Sequence, residues 1–423
     1  MTPKASSAVR ILLALVPVSA AVAKPQQTAT DLTERVRALE AKLQVLEGEL
    51  ASNEFGTTIT ELGPGTHGFG PAASKVYSVD NGLSIGGYGE FLFEQRSGTT
   101  DRLDALRAVL YVGYKFDEHF VFNSEIEFEH ATTDASSGTT SSSGEVSVEF
   151  AYIGWLYRDA INLRAGLLLM PMGLVNELHE PTTFLTAQRS LTERQILPTT
   201  WRENGLGVFG DVGGFAYRAY AVTSLDGDGF DASGLRGGRQ NGNRAAANDF
   251  AGVLRVDWAD TPGLLAGGAV YYGRSGQDRL RGRTAIPALP VTIVELHADY
   301  RNGPLWLRGL AAVATVANAG SYNRATGQRL ARRLDGWYVE AGYDILAALS
   351  PGSEISLTPY LRYEHIDTQA SLPSGFAALS SGDDDLLTVG VNFKPIPQIV
   401  VKLDFVSRRE ANDQFHALLG YVF

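Results

Sequence analysis

Apolar and polar residues alternate with a period of two from about residue 78 to the C terminus. In one such segment Phe120, Phe122, Ile126 and Phe128 alternate with polar or acidic residues. This period predicts β-strands that have one apolar and one polar face. Each segment is about ten residues long, which is the length of a strand that crosses a membrane at a tilt. Sixteen of these segments begin near residues 82, 103, 119, 145, 160, 202, 214, 250, 264, 291, 304, 336, 353, 385, 398 and 412.

The connections between these segments alternate in length. Short turns such as Asp117-Glu118 and Gly213-Gly214 are separated by long polar loops such as 132–144 and 224–249. Transmembrane barrels have short turns on the periplasmic side and longer loops outside. An even number of strands also lets a barrel close, so that every backbone donor finds a partner. We therefore predict an all-β fold in which residues 78–423 form a 16-stranded antiparallel transmembrane β-barrel.

A heptad repeat precedes the barrel, over residues 31–53. Its apolar residues are spaced alternately four and three apart, as in a coiled coil. Asp31 followed by Glu34 is typical of a helix start. We predict a periplasmic coiled-coil helix that joins protomers; the alternative is an amphipathic helix lying against the barrel. The residues predicted at the oligomer contact are Leu32, Val36, Leu39, Leu43, Leu46 and Leu50.

The first 23 residues predict export. Lys4 and Arg10 precede or begin a short apolar stretch, and Ala21-Val22-Ala23 fits the cleavage site of a secretory signal peptide. The apolar stretch is too short to cross a bilayer as a helix, because that takes about 20 residues. Residues 24–30 and 54–77 are then linkers on either side of the coiled coil.

Composition and charge exclude several classes of function. The chain has no cysteine, which excludes a disulfide scaffold and a thiolate metal site. Its net charge of −11 argues against a nucleic-acid partner. Seven histidines occur without an HExxH or GxSxG motif, so we predict no catalytic residue, no metal and no cofactor. A barrel hydrolase with a serine or aspartate beside a histidine at the rim is the enzymatic alternative.

The polar face of the strands is expected to line a wet interior. If the apolar face contacts lipid, charges of both signs face the lumen, where they would create a transverse field that orients polar solutes. The alternative is that many of them form ion pairs that only support the wall. The predicted pore-lining residues are Arg107, Arg164, Arg218, Arg255, Arg308, Arg362, Lys402, Glu125 and Glu127.

The connection at about 170–200 differs from the other long loops. It carries many apolar residues, among them Leu174, Phe184 and Leu191, which a loop exposed to water would not need. We predict that this third loop folds inward and narrows the pore; a surface cap or a subunit contact is the alternative. Its predicted constriction residues are Glu177, His179, Glu180, Arg189, Glu193 and Arg194.

One region of the sequence resembles a known family. The stretch Arg164-Ala165-Gly166-Leu167 through Pro171, Glu193-Arg194, and Trp201-Arg202-Glu203-Asn204-Gly205-Leu206-Gly207-Val208 is similar to the phosphate-selective porin O and P family. The heptad is similar to that of coiled-coil-bearing relatives that take up dicarboxylates. The resemblance implies a trimer of sixteen-stranded barrels with an inward third loop and a preference for anions. Arg189 and Arg194 are the loop arginines that it carries over.

These observations predict an outer-membrane porin of a Gram-negative bacterium. It would let small hydrophilic solutes diffuse passively, and these would be anionic, phosphate-like or dicarboxylate. The expected partners are outer-membrane lipid, lipopolysaccharide and further copies of the chain in a homo-oligomeric trimer. Two alternatives stay open: a nonselective or cation-favouring general porin, consistent with the excess of acidic residues, and a structural or adhesive barrel.

Overall fold

The computed structural model describes residues 36, 37, 39–42, 44, 63, 65–131, 144–281, 283–379 and 382–423. Within these residues, sixteen antiparallel strands close into a barrel through the pairing of the first strand with the last. The strands are numbered in chain order, with two more in a small external hairpin. They are β1 (Gly82–Arg96), β2 (Arg102–Lys115), β3 (Phe120–Glu129), β4 (Glu145–Arg158), β5 (Ile161–Leu169), β6 (Arg202–Val212), β7 (Phe215–Thr223), β8 (Phe250–Trp258), β9 (Leu264–Arg274), the hairpin strands β10 (Leu280–Arg281) and β11 (Thr284–Ala285), β12 (Pro290–Asn302), β13 (Leu305–Val316), β14 (Arg333–Tyr343), β15 (Ser356–Ser371), β16 (Asp383–Ile396), β17 (Ile399–Arg408) and β18 (Gln414–Val422).

The predicted sixteen-stranded antiparallel barrel is confirmed. Every predicted strand start lies within three residues of an observed one; the largest differences are at Arg333 and Ser356. Short helical segments lie at Lys75–Ser78, Ala319–Thr326, Ile345–Leu349, Thr192–Ile196, Gly227–Gly229 and Arg236–Gly238. Among the described residues, no helix is both long and apolar enough to cross a membrane.

The outer surface of the barrel is apolar, as the period of two predicts. Side chains alternate between the two faces of each strand, so one parity meets lipid and the other meets the lumen. Outward residues with large exposed apolar side chains include Phe91, Leu110, Phe128, Ile153, Leu163, Leu206, Leu254, Val270, Leu296, Val339, Leu361, Val389, Phe405 and Leu419.

The N-terminal part of the chain forms a unit separate from the barrel. The described residues 36, 37, 39–42 and 44 are α-helical, and Val36 and Leu39 are exposed in the single chain. The predicted contact residues Leu32, Leu43, Leu46 and Leu50, the predicted signal peptide 1–23 and the linker 24–30 lie outside the described residues.

The segment assigned as a linker before the barrel has a defined position over residues 65–79. It lies inside the barrel, where Asn123 on the inner face of β3 donates a hydrogen bond to the carbonyl of Ala73 (2.9 Å). Phe69 and Val76 are fully buried against the inner wall. The sequence reading as a plain linker missed this because the apolar residues of the segment follow no helical or strand period.

Candidate functional site

The third loop, residues 170–200 between β5 and β6, lies inside the barrel. Its side chains Met170, Met172 and Ile196 have no exposed surface and belong to one apolar cluster with Trp201 and the inner wall. Burial of such a side chain contributes about 1.5–3 kcal/mol. The hydrophobic effect therefore directs this loop inward instead of into the external water.

The Glu193 carboxylate fixes the loop to itself and to the wall. It accepts hydrogen bonds from the backbone N–H groups of Leu174 (3.1 Å) and Val175 (2.8 Å) and from the Tyr338 hydroxyl on β14 (2.7 Å). Burial raises the pKa of Glu193, while the Tyr338 and Val175 donors oppose that shift. The side chain closes the loop instead of projecting into open water.

The loop is also held by strands β15 and β17. Lys402 donates from Nζ to the carbonyl of Thr186 (2.9 Å), and Arg362 donates to the Thr186 hydroxyl (2.9 Å). The backbone N–H of Ala187 donates to the Asp404 carboxylate (2.8 Å). Two of the predicted pore-lining cations, Lys402 and Arg362, thus contact the loop directly.

Three more of the predicted loop residues face the opposite wall. Glu177 accepts from Arg218 on β7 (2.7 Å), and the His179 ring nitrogen lies 3.0 Å from the Glu125 carboxylate on β3. Glu180 is also buried, and that burial raises its pKa to about 7. These contacts attach the loop across the lumen from β15 and β17.

Other predicted pore-lining cations pair with carboxylates of the wall itself. Arg255 and Asp257 on β8 form an ion pair (2.7 Å), and Arg308 on β13 pairs with Asp299 on β12 (3.0 Å). All four side chains are buried. Each of these pairs neutralises a charge that would otherwise be costly to remove from water.

Arg107 and Arg164 complete the predicted set. Arg107 on β2 pairs with Glu90 (2.9 Å) and Glu127 (3.0 Å). The Arg164 guanidinium on β5 lies 3.9 Å from the ring centroid of Phe209, in a cation–π contact. The structure therefore brings the predicted pore-lining residues to the inner face, where each has a partner. Their part in conduction stays a prediction.

Four arginines differ from these paired residues, and we call them the arginine cluster: Arg189, Arg194, Arg236 and Arg239. The last two lie in the loop between β7 and β8. Arg236 donates to the carbonyl of Arg194 (3.1 Å), Arg239 donates to the carbonyl of Arg236 (3.1 Å), and Arg189 donates to the Thr200 hydroxyl (2.8 Å). All four are half-buried, and within the described residues none forms an ion pair with a carboxylate.

The cluster concentrates positive charge that its own neighbours do not cancel. Burial, together with the charges of Arg239, Arg194 and Arg189, lowers the pKa of Arg236 to about 9. Burial, followed by the charge of Arg202, lowers the pKa of Arg239 to about 10. Both pKa values lie above neutral pH, so Arg236 and Arg239 stay cationic there, and an anion placed beside them would offset their repulsion.

Carboxylates on β1, β3 and β4 face this cluster. The negative charge of each carboxylate favours the cationic form of one arginine and so opposes the lowering of its pKa. Glu94 affects Arg194 in this way, Glu129 affects Arg236, and Glu149 affects Arg239. Opposite charges on facing walls produce a field across the lumen. This is the transverse arrangement that the alternation of the strands predicts.

Sequence reasoning missed Arg236 and Arg239. They lie in the loop 224–249, whose mostly polar composition predicts exposure to external water and not a return into the lumen. Buried Phe230 and Leu235 carry the signal that could have revealed it, because a loop that stays in water does not need them.

Comparison with known proteins identifies the family and the fold. The sequence profile of the family described as phosphate-selective porin O and P matches residues 86–417. An uncharacterized protein of Aquifex aeolicus (strain VF5) is 34% identical over 374 residues, which cover 84% of this chain and 83% of that protein.

Solved structures share the barrel at low sequence identity. OmpF of Salmonella typhi in complex with daunomycin aligns with a TM-score of 0.52 at 13% identity, over 81% of this chain and 98% of that chain. A loop L8 deletion mutant of OmpT, an outer membrane protein of Vibrio cholerae, aligns with a TM-score of 0.50 at 12% identity, over 81% and 100%. These two likenesses concern the fold, whereas the profile covers the barrel from β1 to β18. The chain belongs to the phosphate-selective porin O and P family.

Proposed function

We propose that this protein is a porin through which small hydrophilic anions diffuse passively, with phosphate-like ions and dicarboxylates as the solutes. Membership of a porin family and the closed sixteen-stranded barrel support an outer-membrane channel. The anion preference is the part that we add. The anion preference rests on the charged side chains in the lumen, because the barrel fold alone carries no information about the charge of the solute.

The observation that carries the proposal is the arginine cluster. Most charged side chains of the inner face have partners of opposite sign, so they contribute little net field. Arg189, Arg194, Arg236 and Arg239 have none among the described residues, and they occupy the loops that narrow the lumen. A guanidinium group presents a planar fork of N–H donors that fits carboxylate and phosphate oxygens. A passing anion would exchange part of its hydration for these donors.

The purified protein in a planar bilayer tests this proposal. Under a tenfold KCl gradient, we expect discrete channels whose zero-current potential has the sign of chloride over potassium. Phosphate and a dicarboxylate are expected to reduce the chloride current, because they compete for the same donors. A potential of potassium sign would mean that the lumenal glutamates dominate, and a protein without channels would favour the structural or adhesive alternative.

The assembly belongs to the same proposal. Residues 1–23 act as a signal peptide, and the coiled coil 31–53 lies in the periplasm and ties three protomers together, with lipid and lipopolysaccharide around the barrels. The helical conformation and exposure of Val36 and Leu39 support this, because a coiled-coil seam needs exposed apolar residues in the single chain.

Replacing both Val36 and Leu39 by glutamate is expected to weaken or abolish the trimer. Charges at these positions would face one another across the seam. Light scattering of the detergent-solubilised protein measures the mass of the assembly. Arg37→Gln, a change on the outer side of the same helix, is the control and should stay trimeric. A double variant that remains a trimer at low concentration would show that the barrels alone hold the assembly.

A further inference from the structure

Residues 65–79, which we call the lumenal strap, run along the inner wall before the chain enters β1. At one end Gly68 lies beside Arg218 of β7, and at the other Lys115 of β2 donates to the carbonyl of Val79 (2.9 Å). The strap therefore passes over the inner faces of the strands from β7 to β1. It lies near the ends that connect through short turns, which is the periplasmic half.

The strap is packed as a part of the wall. The ring of Phe69 lies 5.0 Å from that of Phe150 and stacks on that of Tyr152 at 5.7 Å between centroids. The hydroxyls of Tyr77 and Tyr152 lie 2.5 Å apart, which is hydrogen-bond distance. Such burial of aromatic side chains and satisfied polar groups is typical of a fixed element and not of a passing linker.

The strap also contacts the third loop from below. The Glu180 carboxylate accepts from the backbone N–H groups of Ala72 (3.0 Å) and Ala73 (3.1 Å). Glu180 is 1% exposed, so this contact is removed from water and its loss would leave buried polar groups without partners.

Two glycines permit this close approach. A Cβ atom at Gly70 would lie 2.5 Å from a Glu180 carboxylate oxygen. Gly68 has a φ of +92°, and a Cβ there would fall on the Arg218 guanidinium, which is paired with Glu177 of the loop. A Cβ at Gly70 would force the Glu180 carboxylate away from the N–H groups of Ala72 and Ala73, and a Cβ at Gly68 would displace Arg218 from Glu177.

We propose that the lumenal strap is a positioning element of the channel, which supports the third loop through Glu180 and keeps the pore at its working width. This inference rests on the proposed channel function. The other contacts of the third loop come from the wall around it and from Arg236 and Arg239 in the loop between β7 and β8. The strap contacts the third loop at Glu180 instead, without being a barrel strand. Glu180 acts here on the position of the loop and not on the solute.

Single-channel recording of Gly70→Ala tests the support. We expect a higher mean conductance and frequent steps between sublevels, because the loop loses its support, while the sign of the zero-current potential stays that of the unchanged protein. Glu180→Ala should also raise the conductance and produce sublevels, because it removes the carboxylate that contacts the strap. It adds no atoms, so it tests the inference even if Gly70→Ala does not fold. Gly63→Ala is the matched control, since nothing lies within 4 Å of a Cβ at that position.

A disulfide distinguishes a fixed strap from one that must leave the pore. A Cβ at Gly113 of β2 would lie 2.7 Å from the Cβ of Val76. A disulfide prefers a separation of about 3.8 Å, so the strap and β2 must move apart by about 1 Å for the pair to join. The chain has no cysteine of its own, so the pair Val76→Cys and Gly113→Cys can only join to each other within one protomer. The oxidised pair should conduct like the reduced pair.

Three outcomes would overturn the inference. Gly70→Ala and Glu180→Ala channels with the conductance and quiet open level of the unchanged protein would show that the loop does not need the strap. An oxidised cysteine pair that conducts only after reduction would make the strap a gate instead of a support. An unchanged protein without any channel would contradict the proposed function itself, and with it this inference.

Discussion

A protein in which Arg189 and Arg194 are both replaced by glutamine is expected to lose most of its preference for chloride over potassium. Two unit charges about 6 Å from a permeating anion stabilise it by about 1.4 kcal/mol at the dielectric constant of water, which is a tenfold effect on occupancy. The shift of the zero-current potential under a KCl gradient measures this change. Replacement by glutamate should reverse the sign, because Glu94 then faces a further carboxylate at position 194.

Two further double variants can be measured in the same way, one in the arginine cluster and one as a control. Arg236→Gln with Arg239→Gln should shift the potential in the same direction, since these residues share the cluster with the loop arginines. Arg279→Gln with Arg281→Gln removes two charges from an exposed position on the external hairpin and should change little. An unaltered potential in both cluster variants would remove the cluster as the source of selectivity.

The barrel could be predicted from the sequence because lipid imposes a simple rule on it. On every strand, the alternate residues that face lipid are apolar. Even Phe122 and Ile126 of β3, which are partly buried, belong to this apolar series. Backbone donors in a membrane must be satisfied between strands, which leaves a closed barrel as the solution. The observed strand starts therefore lie within three residues of the predicted ones.

The interior could not be predicted to the same depth, because it depends on contacts between residues far apart in the chain. Parity places Lys402 on the inner face, but no local signal tells that it contacts Thr186, more than two hundred residues away. The apolar residues of the third loop suggest an inward path, yet they do not reveal that Glu180 contacts the strap while Arg189 belongs to the arginine cluster. The strap itself has neither period nor motif.

Glu193→Ala is expected to destabilise the protein and to loosen the third loop. The carboxylate accepts from two backbone N–H groups and from the Tyr338 hydroxyl, and it is 1% exposed. Hydrogen bonds to a charged group contribute about 1.5–3 kcal/mol each, and the donors left behind stay buried. We expect the free energy of unfolding to fall by about 3 kcal/mol and the single-channel conductance to rise, since the start of the loop loses its attachment to β14.

Urea unfolding of the barrel in detergent micelles, followed by tryptophan fluorescence, measures the stability. Tyr338→Phe removes one of the three donors and should cost about 1 kcal/mol. Glu118→Ala, at a turn where the glutamate side chain is 87% exposed, is the control and should stay within about 0.5 kcal/mol of the unchanged protein. If Glu193→Ala had the same free energy of unfolding and the same single-channel conductance as that control, the apolar cluster alone would hold the third loop. The arginine cluster would then be positioned by Met170, Met172 and Ile196 and not by the carboxylate.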